Sequence, residues 1–172
     1  MLHTYKGMKP TIGANSYIAA GAHIIGDVTM GEHCSVWFNV VIRGDVNTIK
    51  IGERTNIQDN STLHVTHKTC PLTIGNNVTI GHGAILHGAN IDDYCLIGMG
   101  AKILDNCHVE EFSIVAAGAV LKPGFVVPSG HMVAGVPAKV IRPITEDERA
   151  FLKQSAQNYI DYKVDYMEQE KK

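Results

Sequence analysis

Long apolar runs and an excess of basic residues are both missing from this sequence. No segment approaches the roughly 20 apolar residues that a membrane span requires, and residues 1–10 lack the apolar stretch of a secretory signal. The formal net charge of -2 gives no basic surface for nucleic acid. We therefore expect a cytoplasmic protein that acts on neither membranes nor nucleic acids.

The four cysteines form neither a CxxC metal motif nor a dense disulfide framework. Charged residues make up only 19% of the chain, and its 17 glycines favour a compact fold with many turns over a disordered chain.

Aliphatic residues recur every six positions over most of the chain, in series separated by jumps of nine and eleven positions and one slip of five. A helix shows a period of 3.6 and a half-buried strand a period of two, so a period of six predicts a solenoid of short strands. The repeating positions are Ile12, Ile18, Ile24, Met30, Val36, Ile42, Ile51, Ile57, Leu63, Ile74, Ile80, Leu86, Ile91, Ile97, Ile103, Val109, Val115, Leu121, Val127 and Val133.

The fourth residue after each aliphatic position is usually small, as at Ala22 and Ser61. Cys34, Cys95 and Cys107 occupy this same position. A large and a small residue that both point inward fill a narrow interior without voids. We interpret these three cysteines as small core residues.

Residues 144–172 lose the six-residue period, and we assign the solenoid to residues 1–143. Thr145 and Glu148 have the spacing of a helix capping box. Apolar residues at helical spacing follow at Phe151, Leu152, Ala156, Tyr159, Ile160 and Val164. This segment is predicted to form one C-terminal α-helix, packed along the solenoid of its own chain or of a neighbouring subunit.

The hexads resemble the hexapeptide-repeat family over about residues 10–140. The resemblance implies an all-β solenoid, a left-handed parallel β-helix, in which three hexads make one triangular coil. Adjacent coils are expected about 4.8 Å apart, which is the usual spacing of neighbouring strands.

Stacked coils bring two histidines together. With Leu63 above Leu86 in one column, the next residues, His64 and His87, become neighbours roughly 5 Å apart. Two such imidazoles can share one tetrahedral zinc ion. His82 falls on another face, so we expect a second subunit to supply it, and three copies to close a homotrimer. Interface histidines that only make hydrogen bonds are the alternative.

Two motifs near these histidines make the sequence similar to γ-class carbonic anhydrases. The run IRGD matches the Arg-x-Asp element of that family at Arg43 and Asp45. The run NIQDN matches its Asn-x-Gln-Asp element at Asn56, Gln58 and Asp59. This combination of motifs is more specific than hexapeptide repeats alone.

The resemblance implies an enzyme, a zinc-dependent lyase in which zinc hydroxide attacks carbon dioxide to give bicarbonate. Its ligands match His64, His82 and His87, and Fe(II) or Co(II) suits the same set. The family assigns the other positions as follows: Gln58 positions hydroxide or substrate beside Asn56, Arg43 and Asp45 pair between subunits, and Asp59 joins that network and relays protons. A purely structural salt bridge is the alternative for Arg43, Asp45 and Asp59.

The sequence departs from the archetypal enzyme at two places. Val46 stands where that enzyme has glutamate, and the loop after His64, VTHKTCPLT, carries no carboxylate to shuttle protons. His67 in this loop is a candidate shuttle. Hydration is therefore predicted to be slow, and three alternatives stay open: a metal-dependent thioesterase, a hexapeptide acyltransferase, and a metal-binding homologue without hydration activity.

Overall fold

A computed structural model describes residues 1–171 as a parallel β-solenoid of about seven turns with one C-terminal helix. The predicted left-handed β-helix of hexapeptide repeats is thereby confirmed. Most strands are only two or three residues long because the chain turns a corner in every hexad. Residues with a positive φ lie at one of these corners in successive coils, namely Asn15, His33, Arg54, Asn77, Tyr94 and Phe112.

One face of the solenoid is an eight-stranded sheet, parallel except for its last strand. Its strands are β3 (Tyr17–Ile18), β5 (Ser35–Val36), β7 (Asn56–Ile57), β10 (Thr79–Ile80), β13 (Leu96–Ile97), β16 (Ile114–Val115), β19 (His131–Gly135) and β20 (Ala138–Pro143). We call this surface the helix face, because the C-terminal helix packs on it.

A twelve-stranded sheet forms the other two faces, since β4 and β6 are long enough to bend around a corner. Its strands are β1 (Leu2–His3), β2 (Thr11–Ile12), β4 (His23–Met30), β6 (Val41–Ile51), β8 (Thr62–His64), β9 (Leu72–Ile74), β11 (Ile85–His87), β12 (Asn90–Ile91), β14 (Lys102–Ile103), β15 (His108–Val109), β17 (Val120–Leu121) and β18 (Val126–Val127).

The core is the column of aliphatic residues inside the coils. Ile42 pairs in register with Leu63, and Leu63 with Leu86, as the repeat predicts. All twenty repeating positions are buried except Ile12 and Ile18, which lie in the first coil and are partly buried. Each coil therefore continues the hydrophobic interior of the one before it.

Three of the four cysteines, Cys34, Cys95 and Cys107, fill small positions of this core. All four are free and buried. Burial raises the pKa of Cys34 to about 11 and that of Cys95 to about 12. The interpretation of Cys34, Cys95 and Cys107 as core residues is confirmed.

The helix α1 (Glu146–Gln169) begins at the predicted capping box, in which Thr145 accepts from the Glu148 N–H and the Glu148 side chain accepts from the Thr145 N–H. It then runs back along the solenoid. Arg149 stacks on Phe112 in a late coil, and Lys163 donates to the Asn15 carbonyl in the first one. The 14 residue steps from Arg149 to Lys163 span about 21 Å along the helix, and the five coil spacings between Phe112 and Asn15 span about 24 Å.

The buried stripe of α1 differs from the predicted one. Ser155 and Lys163 are buried with Leu152 and Ala156, whereas Phe151 is 53% exposed. Polar side chains are accommodated on the buried stripe because each finds a partner on the solenoid, Thr79 for Ser155 and the Asn15 carbonyl for Lys163. Within residues 1–171, no helix combines the length and apolar character that crossing a membrane requires.

Candidate metal centre

Two imidazoles meet on the twelve-stranded sheet where β8 and β11 end. His64 and His87 are register partners, and their ring centroids are 5.1 Å apart. The Nδ1 atom of His64 lies 3.1 Å from the Nε2 atom of His87. The sequence prediction that these two side chains are neighbours, although 23 positions apart, is confirmed.

Each ring is held on its far side by a carboxylate. Nε2 of His64 lies 3.1 Å from Asp45 Oδ1, and Nδ1 of His87 lies 2.6 Å from Asp105 Oδ1. A nitrogen that donates to a carboxylate carries the proton of a neutral imidazole, so the other nitrogen presents a lone pair. The two lone pairs of this pair of rings then point at each other, an arrangement that a shared proton or a metal cation stabilises.

The spacing of the facing nitrogens fits a tetrahedral metal. Two Zn–N bonds of about 2.0–2.1 Å at a tetrahedral angle place their nitrogens about 3.3–3.4 Å apart. The observed separation of His64 Nδ1 and His87 Nε2 is 3.1 Å, so a small rotation of either ring is enough. Carboxylate-held histidines are also the usual environment of metal-binding imidazoles.

Both carboxylates that hold the rings are stabilised in the charged form. Burial by itself raises the pKa of Asp45, but hydrogen bonds from Arg43 and His64 outweigh it and the net pKa is lowered. Burial likewise raises the pKa of Asp105, and hydrogen bonds from His87 and Thr66 outweigh it. Two anions therefore lie directly behind the two imidazoles, where they favour a cation between the rings.

Asp105 and Thr66 are site residues that sequence reasoning missed. Thr66 Oγ1 donates to Asp105 Oδ2 over 2.8 Å, which fixes the carboxylate against His87. Gly88 leaves the room for it, because a Cβ at this position would lie 2.5 Å from Asp105 Oδ1. The sequence did contain a signal for Asp105. Ile103 stacks on Leu86 in the next coil, and Asp105 lies two positions after Ile103, as Gly88 lies two positions after Leu86. Counting along the repeat therefore places Asp105 beside the residue that follows His87.

Arg43 and Asp45 form an ion pair within one chain, with 2.5 Å between the guanidinium and Asp45 Oδ2. They are two positions apart on β6, so their side chains leave the same face of the strand. The resemblance implies that Arg43 and Asp45 pair between subunits, whereas here the two residues form an ion pair within a single chain. Pairing across subunits therefore stays a prediction.

His82 lies away from the His64–His87 pair, at the corner that follows β10 on the helix face. Its Nδ1 atom lies 2.9 Å from Asp59 Oδ2, and about half of its side chain is exposed. Within residues 1–171, no group of three His, Cys, Asp or Glu side chains is placed to hold a metal ion in one chain. The assignment of His82 as a ligand supplied by a second subunit stays a prediction.

Asn56 and Gln58 lie on the helix face, in the coil before His82. Both are buried, and Gln58 Nε2 donates to Asn56 Oδ1 over 3.2 Å. Gln58 and His82 both line a groove of about 450 Å³ between the helix face and α1. The Asn-x-Gln-Asp motif therefore lies near His82 and not near the His64–His87 pair.

The loop that follows His64 is short, and hydrogen bonds anchor it to the neighbouring coil. Asn47 Nδ2 donates to the Thr66 carbonyl, and the Lys68 N–H donates to the carbonyl of Val46. Val46, which stands where the archetype has glutamate, packs its side chain against the core. His67 is exposed in this loop, and its role as a proton shuttle stays a prediction.

Comparisons with known proteins identify the family of this chain. Residues 9–44 match the family described as bacterial transferase hexapeptide (six repeats). The chain is 46% identical over 155 residues to "Gamma carbonic anhydrase 1, mitochondrial" of Arabidopsis thaliana, covering 87% of this chain. It spans only 56% of the length of that relative.

Other relatives match along nearly their whole length. A protein of Geobacillus kaustophilus named carbonic anhydrase is 44% identical over 161 residues, which cover 94% of this chain and 88% of the relative. The crystal structure of a hexapeptide transferase family protein from Anaplasma phagocytophilum is 43% identical, with a TM-score of 0.93 over 96% of this chain and 98% of that one. The chain therefore belongs to the γ-class carbonic anhydrase-like proteins of the hexapeptide-repeat family.

Proposed function

We propose that this chain is a γ-type carbonic anhydrase that interconverts carbon dioxide and bicarbonate at metal sites between the subunits of a homotrimer. His64 and His87 of one subunit and His82 of the next would hold the ion, with zinc as the expected metal and Fe(II) or Co(II) as substitutes. Held by three imidazoles, such a cation lowers the pKa of water to about 7 and so supplies hydroxide at neutral pH.

One observation carries the proposal: the facing nitrogens of His64 and His87 lie 3.1 Å apart while carboxylates hold both far nitrogens. A merely structural pair of surface histidines does not need two anions behind it. Relatives that carry the name carbonic anhydrase support the same reading.

The side chains around the proposed site would divide the work. Asp45 and Asp105 keep the far nitrogens protonated and set the orientation of the rings. Asp59 does the same for His82 on the opposite side of the subunit seam. Gln58, buried beside His82, offers its amide to position the reacting water or carbon dioxide.

Proton release is the expected weakness of this enzyme. The loop from Val65 to Pro71 has no carboxylate, so we propose His67, Asp59 and buffer as the routes by which a proton from the reacting water leaves. We expect slow hydration in weak buffer and faster hydration in imidazole buffer. Replacement of His67 by alanine would increase that dependence if His67 carries the proton.

The proposal is tested by metal analysis together with stopped-flow hydration of carbon dioxide. Protein loaded anaerobically with zinc or with iron should hydrate carbon dioxide, and His87→Ala should lose both metal and activity. His108→Ala is the matched control, because His108 also pairs with an aspartate on an outer face. Metal-loaded trimer without any hydration would instead favour the homologue that only binds metal.

Acyl transfer and thioester hydrolysis are tested on the same preparation. The name of the Anaplasma relative includes the word transferase, and acyl-CoA is the donor that we would test for the acyltransferase and thioesterase alternatives. Release of free CoA without an acceptor would indicate a thioesterase, and release only with an acceptor would indicate a transferase. Either result in a protein that leaves carbon dioxide unchanged would contradict the proposed hydration.

A further inference from the structure

Four buried polar side chains form a continuous chain between the helix and the solenoid. Ser155 Oγ of α1 lies 2.9 Å from Thr79 Oγ1, and Asn56 Nδ2 donates to the same Thr79 oxygen over 3.0 Å. Gln58 Nε2 then donates to Asn56 Oδ1 over 3.2 Å. Each of the four residues is at most 6% exposed.

The chain fixes the direction in which each amide points. Asn56 Nδ2 donates its two hydrogens to the Val78 carbonyl and to Thr79 Oγ1. The Oδ1 atom of Asn56 is therefore available as an acceptor. Only the Nε2 end of Gln58 can donate to that acceptor. The carbonyl oxygen of Gln58 is consequently turned away from Asn56, where it can accept a hydrogen bond from another group.

The groove that Gln58 lines also contains a residue of the proposed site. Gln58, Thr79 and Ser155 line the same groove as His82, between the helix face and α1. An oxygen acceptor held there receives a hydrogen bond from the O–H of a reacting water, whereas the opposite amide orientation would present only N–H groups. The orientation of the Gln58 amide thus depends on a hydrogen-bond chain whose last hydroxyl, that of Ser155, is supplied by the C-terminal helix.

We infer that Thr79 and Ser155 are positioning residues, which hold the Gln58 amide in the orientation that presents its carbonyl oxygen beside His82. The inference rests on the proposed hydration for its catalytic consequence, but the hydrogen-bond chain itself does not. It gives α1 a role beyond covering the solenoid, because the last link of the chain lies on the helix.

Two substitutions interrupt the chain, and two others leave it intact. Thr79→Val keeps the shape of the side chain and removes its oxygen, and Ser155→Ala removes the link to the helix. Thr79→Ser keeps the hydroxyl and should behave like the parent. Ser113→Ala is the matched control: Ser113 is also fully buried, and its hydroxyl donates to the Pro128 carbonyl over 2.9 Å, in a coil remote from Gln58.

The expected kinetic effect follows from the loss of one hydrogen bond. Thr79→Val should lower kcat for carbon dioxide hydration about 5-fold to 10-fold with little change in KM, and Ser155→Ala about 3-fold. In Thr79→Ser and in Ser113→Ala, kcat should stay within about 2-fold of the parent value. Ser113→Ala should nevertheless lose thermal stability, because it also removes a buried hydrogen bond. A fall in stability without a fall in kcat, in both chain-breaking variants, would show a merely structural role and overturn the inference.

A second readout does not need turnover. The side-chain amide signals of Gln58, assigned from the spectrum of Gln58→Glu, should be distinct and slow to exchange with solvent in the parent protein. They should shift and exchange faster in Thr79→Val and in Ser155→Ala, and stay unchanged in Ser113→Ala. Unchanged Gln58 signals in both chain-breaking variants refute the inference, whether or not the protein hydrates carbon dioxide.

Discussion

Replacement of Asp105 by asparagine removes one negative charge from behind His87 and changes little else. The carboxylate accepts from His87 Nδ1 over 2.6 Å and from Thr66 over 2.8 Å, and asparagine can keep both contacts if the Thr66 hydroxyl turns. Hydrogen bonds to charged groups contribute about 1.5–3 kcal/mol and neutral ones about 1 kcal/mol. Removal of such a partner typically weakens metal affinity by about 10-fold to 100-fold.

We therefore expect Asp105→Asn to bind zinc or cobalt about 10-fold to 100-fold more weakly, which corresponds to about 1.4–2.7 kcal/mol. Competition with a chromophoric chelator at fixed pH measures the change directly. Thermal unfolding of the metal-free protein should differ little, because the side chain of Asp105 is one-third exposed.

The control for this experiment is Asp92→Asn. Asp92 accepts from His108 Nε2 over 2.8 Å, and both side chains are exposed to nearly the same extent as the Asp105–His87 pair. That pair lies on a different face, so its loss should leave metal affinity unchanged. Equal affinities of Asp105→Asn and the parent protein, or equal losses in both variants, would refute the role given to Asp105.

Three further predictions concern the assembly, the core and the helix cap. His64→Ala and His82→Ala homotrimers should each lack metal, whereas equal random mixing of the two chains should restore about one quarter of the sites, measured by metal content. The four buried thiols should react with Ellman's reagent only after denaturation. Hydrogen bonds from Arg142 and the Thr145 N–H lower the pKa of Glu148 to about 2, so its contribution to stability is complete above pH 4.5 and is lost as the pH falls towards 2. Urea unfolding of the parent and of Glu148→Gln at pH 7 and pH 3 measures this loss, which should be smaller in the variant.

The repeat and its register could be predicted from the sequence because they depend on local periodicity. Every sixth residue points inward, so the column through Leu63 and Leu86 follows from counting, and the neighbouring His64 and His87 follow with it. The capping box at Thr145 is also local, since it involves residues three positions apart. These features need no knowledge of how distant segments pack.

The contacts between the six-residue repeats and the C-terminal helix could be identified only from the tertiary structure. The face that α1 covers, and hence the burial of Ser155 against Thr79, depends on the path that the chain takes after its last coil. The apolar pattern of the helix predicted a buried Phe151, which is exposed, and did not predict the buried Ser155. A pattern of apolar residues takes no account of a serine whose hydroxyl has a buried hydrogen-bond partner.

The sequence by itself determined a solenoid of six-residue repeats and the stacking of His64 on His87, because one residue per hexad must face a narrow core. Only the tertiary structure decided which carboxylates hold these rings, since Asp105 reaches His87 from the following coil through a gap at Gly88. It also decided that α1 covers the groove lined by Gln58 and His82, because the path of the chain after its last coil does not follow from a local repeat.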